Sequence, residues 1–187
     1  MEFFKDPNTY FNAVISLVIG VLTGIIASYL FLKHYLQKLK PTVEISDYIS
    51  RVTIEGQTHY LFKFINKTNY ELFDITLDLS SYKPIGVLQG QNLKKTTLEL
   101  KTTKISFIPP YKNPNDQHHT YAIIINTQTN IEDFLTGDNS DYIRLTIIAK
   151  HSLSGLNGIF TKDFHTDQCI SNKNFKFGDS IELNNTK

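Results

Sequence analysis

The stretch "DFHTDQC", residues 163–169, places Asp163, His165, Asp167 and Cys169 at every second position. All four side-chain types bind transition metals, and on a strand alternate residues share one face. Such a face could hold a metal and activate water for hydrolysis. Neighbours on it stand about 7 Å apart, so one strand cannot wrap an ion. A second element would have to contribute, with His151 or the His118-His119 pair as the available donors. The spacing matches no recognised ligand set, and it equally describes a polar outer face or a turn. Cys169 equally suits a small core position.

A second group is cationic. Lys94, Lys95, Lys101 and Lys104 form the densest basic cluster, a candidate site for a small anionic ligand. Lysines at such density also guard sheet edges against aggregation. Beyond these, the sequence holds no glycine-rich phosphate loop, no nucleophile elbow and no paired-cysteine zinc motif. It assigns no catalytic residue and no cofactor. "HSLSGLNG" (151–158) reads as a shaped hairpin turn that could form a ligand lip.

The elements that must position these groups are strands. "VEISDYISRVTI" (43–54) is rich in β-branched residues, and Glu55-Gly56-Gln57 gives a turn. "HYLFKFIN" (59–66) sets Tyr60, Phe62 and Phe64 on one face. "LFDITLDL" (72–79) alternates, which predicts Phe73, Ile75, Leu77 and Leu79 facing in and Asp74, Thr76 and Asp78 facing out. "TTLEL" (96–100), "KISFI" (104–108) and "YIRLTIIAKH" (142–151) read similarly, and the apolar "YAIIIN" (121–126) predicts a central strand. "NIEDFL" (130–135) predicts a helical turn capped by Asn130 and stopped by Gly137. "IFTKDFH" (159–165), "FKFG" (175–178) and "SIEL" (180–183) complete the set. About nine short strands predict an all-β domain, an antiparallel β-sandwich or a small closed barrel, over 41–187.

Ahead of this domain, a short tail (1–10) precedes an apolar segment and a basic juxtamembrane stretch (11–40). Ala13 to Leu32 contains no formal charge over 20 residues, about the length that spans a bilayer as a helix. Ser16, Thr23 and Ser28 can bond back to carbonyls one turn earlier. Lys33, Lys38 and Lys40 follow the segment, whereas only Lys5 precedes it. The positive-inside rule then puts the N-terminus outside and the domain in the cytoplasm; the layout resemblance given below implies the inner membrane of a bacterial cell. The lone Cys169 excludes an intrachain disulfide. The sequons Asn66-Lys67-Thr68 and Asn184-Asn185-Thr186 carry no meaning on a cytosolic domain. Ser16, Gly20, Gly24 and Ser28 recur every four residues, a spacing that suits close helix–helix approach and homo-oligomers.

Residues 41–187 carry 15 Lys+Arg against 16 Asp+Glu, which argues against a long nucleic acid as partner. Membrane lipid, further copies of the chain, a protein partner or a small anionic ligand remain. The layout of short N-terminal anchor and compact β-domain resembles small bacterial antiviral defence effectors, in which a membrane segment precedes a cytosolic β-domain that binds a cyclic nucleotide. That resemblance implies ligand-driven clustering that perturbs the inner membrane. The family has two spans and this chain one, and no binding residue is carried over. The expectation is a membrane-anchored, non-enzymatic binding domain that oligomerises. An adaptor subunit of a membrane complex and a metal-dependent hydrolase are the alternatives.

Overall fold

A computed structural model of the chain describes residues 7–85, 92–112, 114, 116–135 and 141–184. The chain divides into two compact units, Met1–Leu39 and Lys40–Lys187. The first unit is one helix, α1 (Pro7–Lys38). It starts inside the expected tail because Pro7 fits the first helical turn, where its missing N–H costs nothing. Within it Tyr10–Leu36 is long and apolar enough to cross a membrane, and none of its most apolar window is buried. Thr23 Oγ1 donates to the Ile19 carbonyl at 2.8 Å, the back-bond expected of a hydroxyl in lipid. Residues 1–6, with Glu2, Lys5 and Asp6, lie outside the described residues.

The second unit is a β-sandwich of nine strands: β1 (Val43–Ile54), β2 (Gln57–Asn66), β3 (Leu72–Ile85), β4 (Asn92–Leu98), β5 (Lys104–Ile108), β6 (Ala122–Thr127), β7 (Tyr142–His151), β8 (Asn157–Phe164) and β9 (Ile170–Ser171). One sheet has the order β6-β2-β1-β9; the other runs β4-β3-β7-β8, with β5 also paired to β3. Phe62 of the first sheet meets Phe164 of the second edge-on, ring centroids 5.6 Å apart, in a core that also buries Ile49, Phe64, Leu79 and Leu145. Ring pairs of this kind add about 0.5–1.5 kcal/mol beyond area burial. The open sides are laced by side chains and a loop, such as the Lys162–Asp47 ion pair between β8 and β1 and the Lys101 amide bonded to the Asn126 carbonyl. Among the described residues no ladder closes these sides, and the domain is a sandwich and not a closed barrel.

Local chemistry sets the register. Glu55 (φ 51°) and Gly56 (φ 79°) form the two-residue turn between β1 and β2, with Ile54 paired to Gln57. Two successive left-handed residues match the twist of a hairpin, and glycine takes the second place without strain. In β3 the expected alternation slips by one residue. Asp74 has φ 49°, and the pairing with β7 shifts between Phe73 and Thr76. This bulge turns Leu72 inward and leaves Phe73 half-exposed against Phe107 of β5.

Four further expectations are corrected. β6 is an edge strand and not a central one, with Ile124 half-exposed. β4 begins at Asn92, earlier than its apolar residues suggest, because an exposed edge tolerates Lys94 and Lys95. The turn near 131 is a 3-10 turn, Glu132–Phe134, whose cap position is Ile131; Asn130 instead donates to Asp133. Gly137, its expected stop, lies outside the described residues. "FKFG" and "SIEL" are not sheet strands but two arms of a C-terminal strap, joined by a single bridge between Phe175 and Leu183.

That strap covers the outer face of the first sheet. It buries Lys63, whose Nζ donates to the carbonyls of Lys176 at 2.6 Å and Gly178 at 2.9 Å. Ser46 Oγ donates to the Ile181 carbonyl at 2.7 Å. Asn66 is also buried: its amide donates to the carbonyls of Tyr70 and Pro109 and its oxygen accepts from the Thr68 N–H. The first sequon is therefore a turn brace and not a surface acceptor. The second runs past residue 184, outside the described residues.

Candidate ligand groove

A wide concavity among the described residues lies at the end of the sandwich where β1 passes into β2. It is an open groove of about 1120 Å³, lined among others by Arg51, Tyr60, Gln128, Asn130, Glu132 and Asn172. Its origin is a polar break in an apolar face. Ile49 pairs with Phe62 on the inner face, and the next inner pair is Arg51 with Tyr60. A guanidinium is costly in an apolar core, and here the polar segment around the 3-10 turn meets it, Glu132 accepting from Arg51.

The charges are satisfied within the groove. Arg51 Nη1 donates to Glu132 Oε1 at 2.7 Å, and Arg51 Nε donates to Asn172 Oδ1 at 2.7 Å. The ion pair is 39% exposed on both sides, so it contributes about 0.2–1 kcal/mol. The Tyr60 hydroxyl stands 2.8 Å from Asn130 Oδ1 and 3.1 Å from Glu132 Oε1, and donates to one at a time. Burial, then the hydrogen bond to Glu132, pushes its pKa up to about 12. The phenol therefore stays protonated and acts as a hydrogen-bond donor. Amides at Gln128, Asn130, Asn172 and Asn174 present both donors and acceptors. This donor–acceptor set suits recognition of a polar ligand. It contains no histidine or cysteine and no activated nucleophile.

The residues singled out from sequence lie elsewhere. Asp163 ends in a two-point ion pair with Arg144 on the outer face of the second sheet, at 2.6 and 2.7 Å. The Arg144 guanidinium lies over the rings of Tyr82 and Tyr142, which stack at 5.1 Å, and the Asp163 hydrogen bond raises its pKa further. His165 is exposed and sits beside Tyr142, ring centroids 5.3 Å apart. The period-two face stops there because β8 ends at Phe164 and Asp167–Cys169 is a 3-10 turn. Cys169 Sγ donates to the Thr166 carbonyl at 2.8 Å, and burial pushes its thiol up to about 11, the reverse of an activated thiolate. His119 bonds Tyr121 at 2.6 Å, and His151 is buried under Tyr70. Among the described residues no three His, Cys, Asp or Glu side chains stand together as a metal site.

The four lysines are likewise dispersed. Lys94 and Lys95 are neighbours on β4, so they point to opposite faces, and Lys95 pairs with Asp78 at 3.0 Å. Lys101 lines a recess of about 220 Å³ with Glu99 and Asn126, while Lys104 lines another of about 300 Å³ with Asp74 and Thr76. Proximity in sequence fails here because the turn at 99–103 separates β4 from β5 along β3. Ser16, Gly20, Gly24 and Ser28 are exposed on α1, as the rest of its apolar span is, and nothing lies within 4 Å of a side chain built on either glycine.

No protein-family model matches this chain, and no curated protein does. Among solved structures it is similar to Spo0M, a sporulation control protein from Bacillus subtilis, at 11% identity and a TM-score of 0.34. The match covers 68% of this chain and 48% of that one, so the chain spans about half the length of that protein. A likeness at that TM-score carries nothing over to this chain.

Proposed function

We propose that the chain is a single-pass, membrane-anchored binding module whose β-sandwich takes up a polar ligand at the groove and whose anchor clusters. Supporting it most directly is α1: an apolar helix with no buried face, carrying small residues with open space above them at one-turn spacing. Two copies can approach closely along Ser16, Gly20, Gly24 and Ser28, gaining van der Waals contact and weak Cα–H···O bonds. Tethering to a membrane raises the effective concentration of the domains, so weak helix contacts become decisive once a ligand also favours clustering. Lys33, Lys38 and Lys40 favour a cytoplasmic domain at a bacterial inner membrane. In this reading ligand-driven clusters perturb the membrane, in the manner of the defence effectors that the layout resembles.

The test is the Gly20→Leu/Gly24→Leu double variant of the full-length chain, crosslinked in lipid vesicles and sized in detergent. The variant is expected to be monomeric where the parent forms oligomers, with an unchanged circular dichroism spectrum of the sandwich. Oligomers in both would refute clustering through α1. The adaptor reading has one observation in its favour: β4 pairs with β3 on one edge and with no other described strand. An extended segment of a protein partner could add there, and stoichiometric co-purification would favour that alternative.

A further inference from the structure

We propose that the end of the sandwich opposite the groove is itself a lipid-contact surface, inserting Phe177 and Leu153 into the face of the bilayer that holds α1. The tether is covalent. α1 ends at Lys38 and β1 begins at Val43. Whatever orientation the two units adopt, five peptide steps of at most about 3.6 Å keep the start of β1 within roughly 18 Å of the helix end.

The side chains around that start belong to one end of the fold. The Thr42 amide donates to Thr68 Oγ1 at 2.8 Å, and the Lys67 and Tyr111 amides donate to the carbonyls of Thr42 and Thr68, both at 2.9 Å. Pro41 packs on Gly158, where a Cβ would come within 2.5 Å of its ring. The β7–β8 turn, with Leu153 in it, is tied in through the Ser152 amide to the Glu71 carbonyl at 3.1 Å. Phe177, at the tip of the strap, packs edge-on against His119, ring centroids 5.2 Å apart.

This end carries two of the three most exposed large apolar side chains of the β-domain among the described residues, Phe177 at 78% and Leu153 at 58%. Scattered exposed apolar residues are ordinary. These two protrude from separate elements, the strap and the β7–β8 turn, at the tethered end, whose nearest apolar phase is the bilayer. Two lysines of this end are paired: Lys67 with Glu44 at 3.0 Å and Lys112 with Asp179 at 3.6 Å, and both ammonium groups lie over the Tyr111 ring. Contact therefore rests on apolar insertion.

The chain contains no tryptophan, so each introduced one is a sole reporter. Full-length Leu153→Trp, Phe177→Trp and Ile54→Trp variants are reconstituted in phosphatidylcholine vesicles whose acyl chains are brominated. Leu22→Trp, within α1, reports insertion of the anchor. Side chains reaching about 5–10 Å into the headgroup–acyl boundary are expected to lose roughly half their emission, a twofold fall. The Leu153→Trp and Phe177→Trp chains should show that fall, whereas the Ile54→Trp chain, beside the groove, should show none. Quenching at 153 and 177 no greater than at 54 would overturn the inference. If Leu22→Trp also escapes quenching, the anchor and the lipid contact fail together.

Discussion

Lys63→Met separates the docking of the strap from the stability of the sandwich. Lys63 is almost fully buried, and burial lowers its pKa, with Asp179 opposing. The ammonium is therefore costly where it stands, and what retains it is the pair of carbonyls of Lys176 and Gly178. Each hydrogen bond to a charged group is worth about 1.5–3 kcal/mol net, and opening the strap returns part of that by rehydrating the ammonium. The balance leaves about 2 kcal/mol holding the strap, or roughly 30-fold in its opening equilibrium. Methionine fills the same volume without a charge to bury, so the sandwich itself should lose little. The assay is amide hydrogen exchange at Lys176 and Asn184, which bond across the strap to the carbonyls of Glu182 and Asn174. Exchange there is expected to rise about 30-fold while amides in β2 and β7 change little. Unchanged exchange at both strap amides would show that Lys63 does not fasten it.

Two further outcomes follow from buried contacts. His151 is fully buried, its Nδ1 accepts from the amides of Leu153 and Ser154, and its Nε2 meets no partner among the described residues. Burial lowers its pKa below the ordinary value, with Glu71 opposing, so the unfolded chain binds the extra proton first. Stability should be full above about pH 6.5 and fall as pH drops toward the lowered folded value; urea denaturation of His151→Leu should lack this His151 component of the slope, and an identical pH dependence would refute the assignment. Gly158→Ala would set a Cβ 2.5 Å from Pro41 Cγ and 2.7 Å from Phe160 Cζ. The proline ring cannot rotate away, so the cost is about 2 kcal/mol and Tm falls by roughly 8 °C in a domain of this size, as calorimetry would show.

The fold was legible wherever one periodicity acts alone. The long apolar helix, the β1–β2 turn and the inward row Tyr60, Phe62 and Phe64 all follow from local residues. Errors arose where tertiary context reverses a local signal. Apolar runs mark burial, yet "YAIIIN" is an edge strand, its outer edge partly occupied by the turn after β4 through Lys101 and Thr127. Clean alternation in "LFDITLDL" could not reveal that Asp74 would take a left-handed conformation and reset the phase. The two-residue β9 escaped because its pairing partner in β1 lies about 120 residues away.

The groove was illegible for a different reason. A catalytic centre advertises itself by rare types at fixed spacings, because reacting atoms must be held in narrow geometry. Here the lining is assembled from β1, β2 and the segments around 128–132 and 172–174, each supplying one or two common polar side chains. The available signal was Arg51, a charge at a position where the alternation of β1 calls for an inner apolar residue. A charge there costs stability unless it is paired, and Glu132, 81 residues later, supplies the partner. Removing both members together with Arg51→Met/Glu132→Met should leave the fold intact and take the two charges out of the groove, its amides remaining.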